Sequence, residues 1–227
     1  MQQVQRRSLV DTVVDEMKRE IATGNWQVGD RIPSEAELTA QLGVSRPSVR
    51  EVVRSLVQLG LLETRQGDGT YVVATDATQV ALRRALHTAD RREVILVRKA
   101  LDALAAGAAA EQRSDADLEF LAAQLCARSA AIRDGDVATF TDADVAFHLG
   151  VARISGNRLL SDIYASFDHS LRESITDASC LARGDDPDRA DQHETLYQAI
   201  AAGDPEAARN AALGVLDQQE RLLDASE

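Results

Sequence analysis

The strand signals of this chain are confined to two short pieces, Leu61–Thr64 and Thr70–Val73, with Gly67-Asp68-Gly69 between them. A glycine-bounded turn between two β-branched or aromatic pieces reads as a hairpin. Two strands alone are marginal in water, so this hairpin has to lean on helices. Everything after Ala74 has to build its core from helices alone.

What precedes the hairpin supplies the support. Leu9, Val13, Val14, Met17 and Ile21 form one apolar stripe along Ser8–Thr23, and Gly24-Asn25 and Gly29-Asp30 punctuate its end. Ser34-Glu35-Ala36-Glu37 is a capping box, which predicts a short helix over Glu35–Leu42 that stops at Gly43. Ser45 caps the next helix, Pro47 sits in its first turn where a missing amide does no harm, and Gly60 ends it. Helix, helix, turn, helix, hairpin is a winged helix-turn-helix arrangement, predicted for residues 1–74.

Beyond it the helical pattern continues. A short helix over Ala77–His87 lies in a linking stretch, residues 75–90. Further helices are predicted over Arg91–Arg113, Asp115–Arg133, Asp136–Ile154, Asn157–Ala182, Pro187–Ala202 and Pro205–Leu223. Asp186-Pro187 and Asp204-Pro205 are paired start signals. The fold class is therefore mainly α: an N-terminal winged domain, then an all-α bundle of six or seven helices over residues 91–227.

Charge sorts the two parts. The 227 residues carry a net charge of −12, which by itself argues against a nucleic-acid partner. Residues 1–74, however, hold nine Lys+Arg against ten Asp+Glu, while residues 75–227 hold 16 against 27. The acidity belongs to the bundle, and Arg46, Arg50, Arg54 and Arg65 gather where a positive face could form. No run of eighteen apolar residues predicts a membrane span, and Met1–Leu9 lacks the apolar core of a secretory signal. Cys126 and Cys180 are too few for a disulfide framework, and a reducing cytoplasmic setting is expected.

Gly43-Val44-Ser45-Arg46-Pro47-Ser48-Val49-Arg50 is the informative run of the first domain. Arg46 and Arg50 lie four residues apart on one helix face, opposite the stripe of Val49, Val52, Val53 and Leu56. Arginine suits guanine edges and phosphates, and Ser45 and Ser48 could donate to phosphates at the helix start. Taken alone, the same run could be a capped surface helix with solvated arginines. Together with Asp30-Arg31-Ile32-Pro33-Ser34-Glu35 and Gly67-Asp68-Gly69-Thr70-Tyr71-Val72, it resembles the DNA-binding domain of the GntR family of bacterial transcription regulators. The resemblance implies operator contacts from Ser45, Arg46, Ser48 and Arg50. It puts Gly67 at the wing tip, flanked by Arg65 and Gln66, which we count with the DNA-binding set. Many members have Arg where Ala36 stands, so operator preference is expected to differ.

The bundle holds a second constellation. Phe140, Asp144, Phe147, His148 and Val151 share one stripe, so Asp144 and His148 face the core. His193 and Arg98 sit on apolar stripes of their own helices. A buried carboxylate needs a partner, and His plus carboxylate on one face is a plausible metal pair. Each residue could equally be a locally satisfied core group. Arg98 with Asp102, Asp144-Val145-Ala146-Phe147-His148, Ser155-Gly156-Asn157 and His193 with Ala199-Ile200 resemble the FCD domain of the FadR subfamily. Metal-binding members use an Asp and three His. The resemblance thus implies Asp144, His148 and His193 as ligands of a divalent metal (Zn, Ni or Mn), and we assign Arg98, Asn157, His148 and His193 to an effector. The fourth ligand position falls on Val215, which cannot ligate. Gln219, one turn on, is a possible substitute. His169 falls off the inward stripe of its helix, and His87 reads as surface.

The expected function is a non-enzymatic, ligand-responsive regulator, acting as a repressor. A homodimer would bind a palindromic double-stranded DNA operator and sense a small carboxylate, with no membrane partner. A metal-independent regulator of the acyl-CoA-responsive type and a metal-dependent enzyme stay open as alternatives.

Overall fold

The computed structural model describes residues 8–175 and 192–224. The chain divides into two compact units, residues 1–82 and 83–227. In the first lie α1 (Leu9–Ala22), α2 (Glu35–Leu42), α3 (Arg46–Gln58), β1 (Leu62–Arg65) and β2 (Gly69–Val72). The helix α4 (Ala77–Thr88) runs across the division. The second unit holds α5 (Arg91–Gln112), α6 (Asp115–Asp134), α7 (Val137–Ile154), α8 (Arg158–Ala165), α9 (Asp168–Ile175), α10 (Gln192–Ala202) and α11 (Pro205–Asp224).

Local chemistry sets the ends of these helices. Ser34 accepts the Glu37 amide while Glu37 returns a carboxylate to the Ser34 amide, and Gly43 closes α2 in the left-handed conformation. Ser8, Asp90 and Ser114 form capping boxes that start α1, α5 and α6. In the first unit, Val13, Met17 and Ile21 of α1 pack on Leu38 and on Val49, Val52 and Leu56 of α3. Each such fully buried side chain contributes about 1.5–3 kcal/mol relative to exposure.

The hairpin pairs Leu62 with Val72 and Arg65 with Gly69, so both strands lie one residue from the expected bounds. A third edge joins them. Ile32 N donates to Thr70 O and Val72 N to Asp30 O, each at 2.9 Å. This pairing of residues 29–32 with β2 carries no alternation pattern and was not expected from the sequence.

In the second unit α11 lies along α5 and α6 along α7. Ala105, Ala106, Ala109 and Ala110 of α5 and Ala208, Ala211 and Ala212 of α11 are buried, which allows close helix approach. The Arg209 side chain lies across Gly107, where a Cβ would meet its Nε at 2.5 Å. One expectation fails. The helix anticipated over Asn157–Ala182 breaks after Ala165. Ser166 N and Phe167 N turn back to Ile163 O and Tyr164 O, and the bend buries Phe167 and Leu171 together. The anticipated stretch beyond Ile175, Cys180 and the Asp186-Pro187 start signal lie outside the described residues.

Candidate nucleic-acid interface and candidate metal centre

On the first unit, burial of Val49, Val52 and Leu56 leaves the opposite face of α3 outward, and Arg46, Arg50 and Arg54 are exposed there. Val53, expected in the buried stripe, is only partly covered. Ser45 is the N-cap, accepting the Ser48 amide at 3.4 Å, and the two hydroxyls meet at 2.9 Å. The start of α3 thus offers two hydroxyls and a positive dipole end, a combination suited to phosphate. Arg50 is not loose: Glu35 of α2 takes its Nε at 3.3 Å and its Nη2 at 3.1 Å, which raises the Arg50 pKa. In the wing, the Arg65 guanidinium lies 4.2 Å over the Tyr71 ring. Gln66 is exposed, and Gly67 has a φ of 77°, which only glycine adopts freely.

The second unit brings Asp144, His148 and His193 together in its core. Asp144 and His148 come from successive turns of α7 and His193 from the start of α10. His148 Nε2 and His193 Nε2 are 3.2 Å apart. His193 Nε2 is 3.2 Å from Asp144 Oδ1, and His148 Nε2 is 3.8 Å from Asp144 Oδ2. Among the described residues this is the cluster of three metal-ligating groups whose donor atoms converge within 4.8 Å.

Its protonation suits a cation. Burial pushes the Asp144 carboxyl up, but His193, His148 and Arg128 outweigh it and hold it well below the ordinary range. Burial pushes His148 down to about 3 against the pull of Asp144, so its imidazole is neutral and keeps a lone pair. A tetrahedral ion with bonds of about 2.05 Å to its ligands needs donor atoms about 3.3 Å apart. Two of the three edges already have that length, so the residues fit a divalent metal.

Arg128 of α6 was missed in the sequence. Its Nε donates to Asp144 Oδ1 at 2.8 Å, and its guanidinium sits 4.9 Å over the Phe140 ring. No spacing rule reports a contact between two helices, which explains the omission. Arg98 is buried as expected, but its guanidinium is engaged, with Nη2 on Asp102 at 3.3 Å and Nη1 on Gln219 at 3.1 Å. Gln219 therefore serves Arg98. Val215 is buried on α11, one turn beyond Ala212. Asn157 is exposed and its Oδ1 accepts the Leu160 amide at 3.1 Å, so the structure spends it on capping α8. His87 and His169 are exposed, with ring centroids 5.7 Å apart.

A small cavity adjoins the cluster, lined by Asp102, Ala105, His148, Val151, Tyr164, Leu196 and Ala212. It is narrow, with room for about one water molecule, and the free space around it is partly open to solvent.

Comparison with known proteins gives a family match on each of the two units. The sequence profile of the bacterial regulatory proteins of the gntR family matches residues 9–72, and that of the FCD domain matches residues 93–218. The HTH-type transcriptional regulator LutR of Bacillus subtilis is 33% identical over 211 residues, covering 89% of this chain and 95% of LutR. A protein of Escherichia coli, provisionally designated the L-lactate dehydrogenase operon regulatory protein, is 32% identical over 221 residues, covering 92% of this chain and 84% of its own. Among solved structures, a Streptococcus agalactiae GntR protein superposes with a TM-score of 0.63 at 26% identity, over 94% of this chain and all of that one.

Proposed function

The chain belongs to the gntR family of bacterial regulatory proteins and carries an FCD domain, and from that premise we propose that it is a repressor released from its operator by a small carboxylate. The family and its relatives are transcription regulators, so the chain is not an enzyme. We read it as a FadR-type member that works in the cytoplasm, where its DNA would be. Among the described residues no helix is long and apolar enough to cross a membrane.

On the DNA side, Arg46 and Arg50 read base edges or phosphates, Ser45 and Ser48 bind phosphate at the α3 start, and Arg65, Gln66 and Gly67 approach the backbone from the wing. A palindromic operator calls for two copies. Leu96, Val97 and Leu104 of α5 are 70%, 50% and 53% exposed, and Ala100 shares that face. Such an uncovered apolar strip supports self-association.

The observation that carries the effector reading is the charge count of the buried cluster. Arg98 and Arg128 balance Asp102 and Asp144 while His148 stays neutral. A divalent ion held by Asp144, His148 and His193 adds two positive charges in the core, and an anionic ligand relieves them. The ion would supply a Lewis-acidic anchor for a carboxylate. L-lactate, which appears in the name of one relative's operon, is such a carboxylate. An effector moves the equilibrium only by its difference in affinity between the DNA-competent and incompetent conformations. The test is sequence-selective, salt-sensitive binding to DNA upstream of the protein's own gene, weakened by a small carboxylate in the presence of metal. Binding that ignores sequence, or that no carboxylate alters, overturns the reading.

A further inference from the structure

The Arg128 guanidinium stands beside the carboxylate that a metal ion would need. The Asp144 side chain is 9% exposed, and a carboxylate at that depth needs a cation close by. Either a side chain or a divalent ion can supply the charge. In the structure it is a side chain: Arg128 Nε, on α6, donates to Asp144 Oδ1 at 2.8 Å. The same Oδ1 lies 3.2 Å from His193 Nε2, along one edge of the metal cluster. Guanidinium and ion thus converge on one oxygen.

A carboxylate oxygen has two lone pairs, so both partners can be held at once. An ion bound to Oδ1 at about 2.1 Å would then stand about 4 Å from Arg128 Nε. Like charges at that distance repel more strongly in a buried site than in water. Arg128 is held from a second side as well. Its guanidinium lies 4.9 Å over the ring of Phe140, one turn before Asp144 on α7, and the side chain is 14% exposed. Nor can it shed its charge, because a guanidinium stays protonated in a protein. Donors behind metal ligands ordinarily orient them, and losing one typically costs about 10- to 100-fold in metal affinity. A neutral donor would orient Asp144 too. An arginine adds a positive charge that the ion has to overcome.

Resting on the metal reading of Asp144, His148 and His193, we propose that Arg128 is a positioning residue that holds the metal affinity down, neutralising Asp144 in the metal-free chain and opposing the ion on the same oxygen. The metal-free cluster is then a satisfied state in its own right, and the ion exchanges with its supply.

The experiment measures zinc affinity of the full chain by competition with a chelating dye, for the native protein, Arg128→Gln and Arg128→Lys. Arg128→Gln removes the charge and keeps a donor, and it is expected to bind zinc about tenfold more tightly or better. Arg128→Lys keeps the charge and is expected to stay within about threefold of native. Thermal unfolding supplies the second readout. Arg128→Gln should lower the melting temperature of the metal-free helical unit, where Asp144 loses its cation. It should lower that of the zinc-loaded unit less, because the ion then meets the charge of Asp144. Zinc affinity that falls or stays unchanged in Arg128→Gln means an orienting role alone, which overturns the proposal and leaves the metal reading standing. Equal losses of melting temperature with and without zinc are the mark of a purely structural role and overturn it too. Equal tightening in Arg128→Lys overturns the part played by charge. No zinc binding by any of the three chains removes the metal reading, and this one with it.

Discussion

Metal binding should appear as heat stability of one unit only. The His148–His193 edge and the edge from His193 to Asp144 Oδ1, both 3.2 Å, are within about 0.1 Å of a tetrahedral site, and one donor atom from each residue lies within 4.8 Å of the others. Little reorganisation is needed in the folded chain, and in the unfolded chain these residues, 45 and 49 positions from His193, are not held together. Metal at one hundred times its dissociation constant then adds about 2.7 kcal/mol to unfolding. For a unit of this size, about 2–4 °C of melting temperature accompanies each kcal/mol, so the rise is about 8 °C. Scanning calorimetry of the full chain, first with chelator and then with excess Zn, Ni or Mn, reads this directly. The transition of the helical unit should move and that of the winged unit should not. His148→Ala should abolish the shift whatever it does to the starting melting temperature. A change of less than about 1 °C with all three metals, or the same shift in His148→Ala, refutes the reasoning.

Further outcomes follow from individual side chains. Val215→His returns an imidazole to the face that carries Ala212, and it should tighten zinc roughly tenfold or more, measured by competition with a chelating dye. Arg46→Ala should weaken operator binding and lower the slope of log affinity against log salt by about one per half-site, read by fluorescence anisotropy across a salt series. In the metal-free protein His148 titrates near 3 when folded but near 6.5 when unfolded. Its contribution is therefore complete above pH 6.5 and shrinks as pH falls toward 3, by up to about 1.4 kcal/mol per pH unit. Urea unfolding at pH 7 and pH 5 should show a larger loss for the native chain than for His148→Gln, and equal losses contradict the assignment.

Much of this fold could be read from local chemistry. Ser34 and Glu37 announce α2, Ser45 and Pro47 start α3, and Asp136 caps α7, because each signal lies within one turn of the backbone it satisfies. The inward pointing of Asp144 and His148 also followed from one helix's periodicity. What was not legible depends on neighbours distant in sequence. The break at Ser166-Phe167 follows the demand for burial of Phe167 and Leu171, since residues 157–182 have no proline or glycine to mark a break before Ala182. Arg128 meets Asp144, Glu35 meets Arg50, and Tyr164 faces Asp102 only because separate helices pack together. Asn157 carried a resemblance to effector-binding motifs, yet its geometry is that of an ordinary cap.

The short third edge of the wing has a mechanical consequence. A two-stranded hairpin on a surface would sway by itself. Here Gly29 N, Ile32 N and Val72 N bond residues 29–32 to β2. Two residues later the same strip becomes Ser34, the cap of α2, whose Glu35 grips Arg50. Wing, second helix and recognition helix are thereby linked into one frame. In the proposed operator complex the distance between Arg46 and Gly67 would behave like the span of a caliper: it would be set before any groove is met, and DNA whose groove width does not match it would have to do the bending.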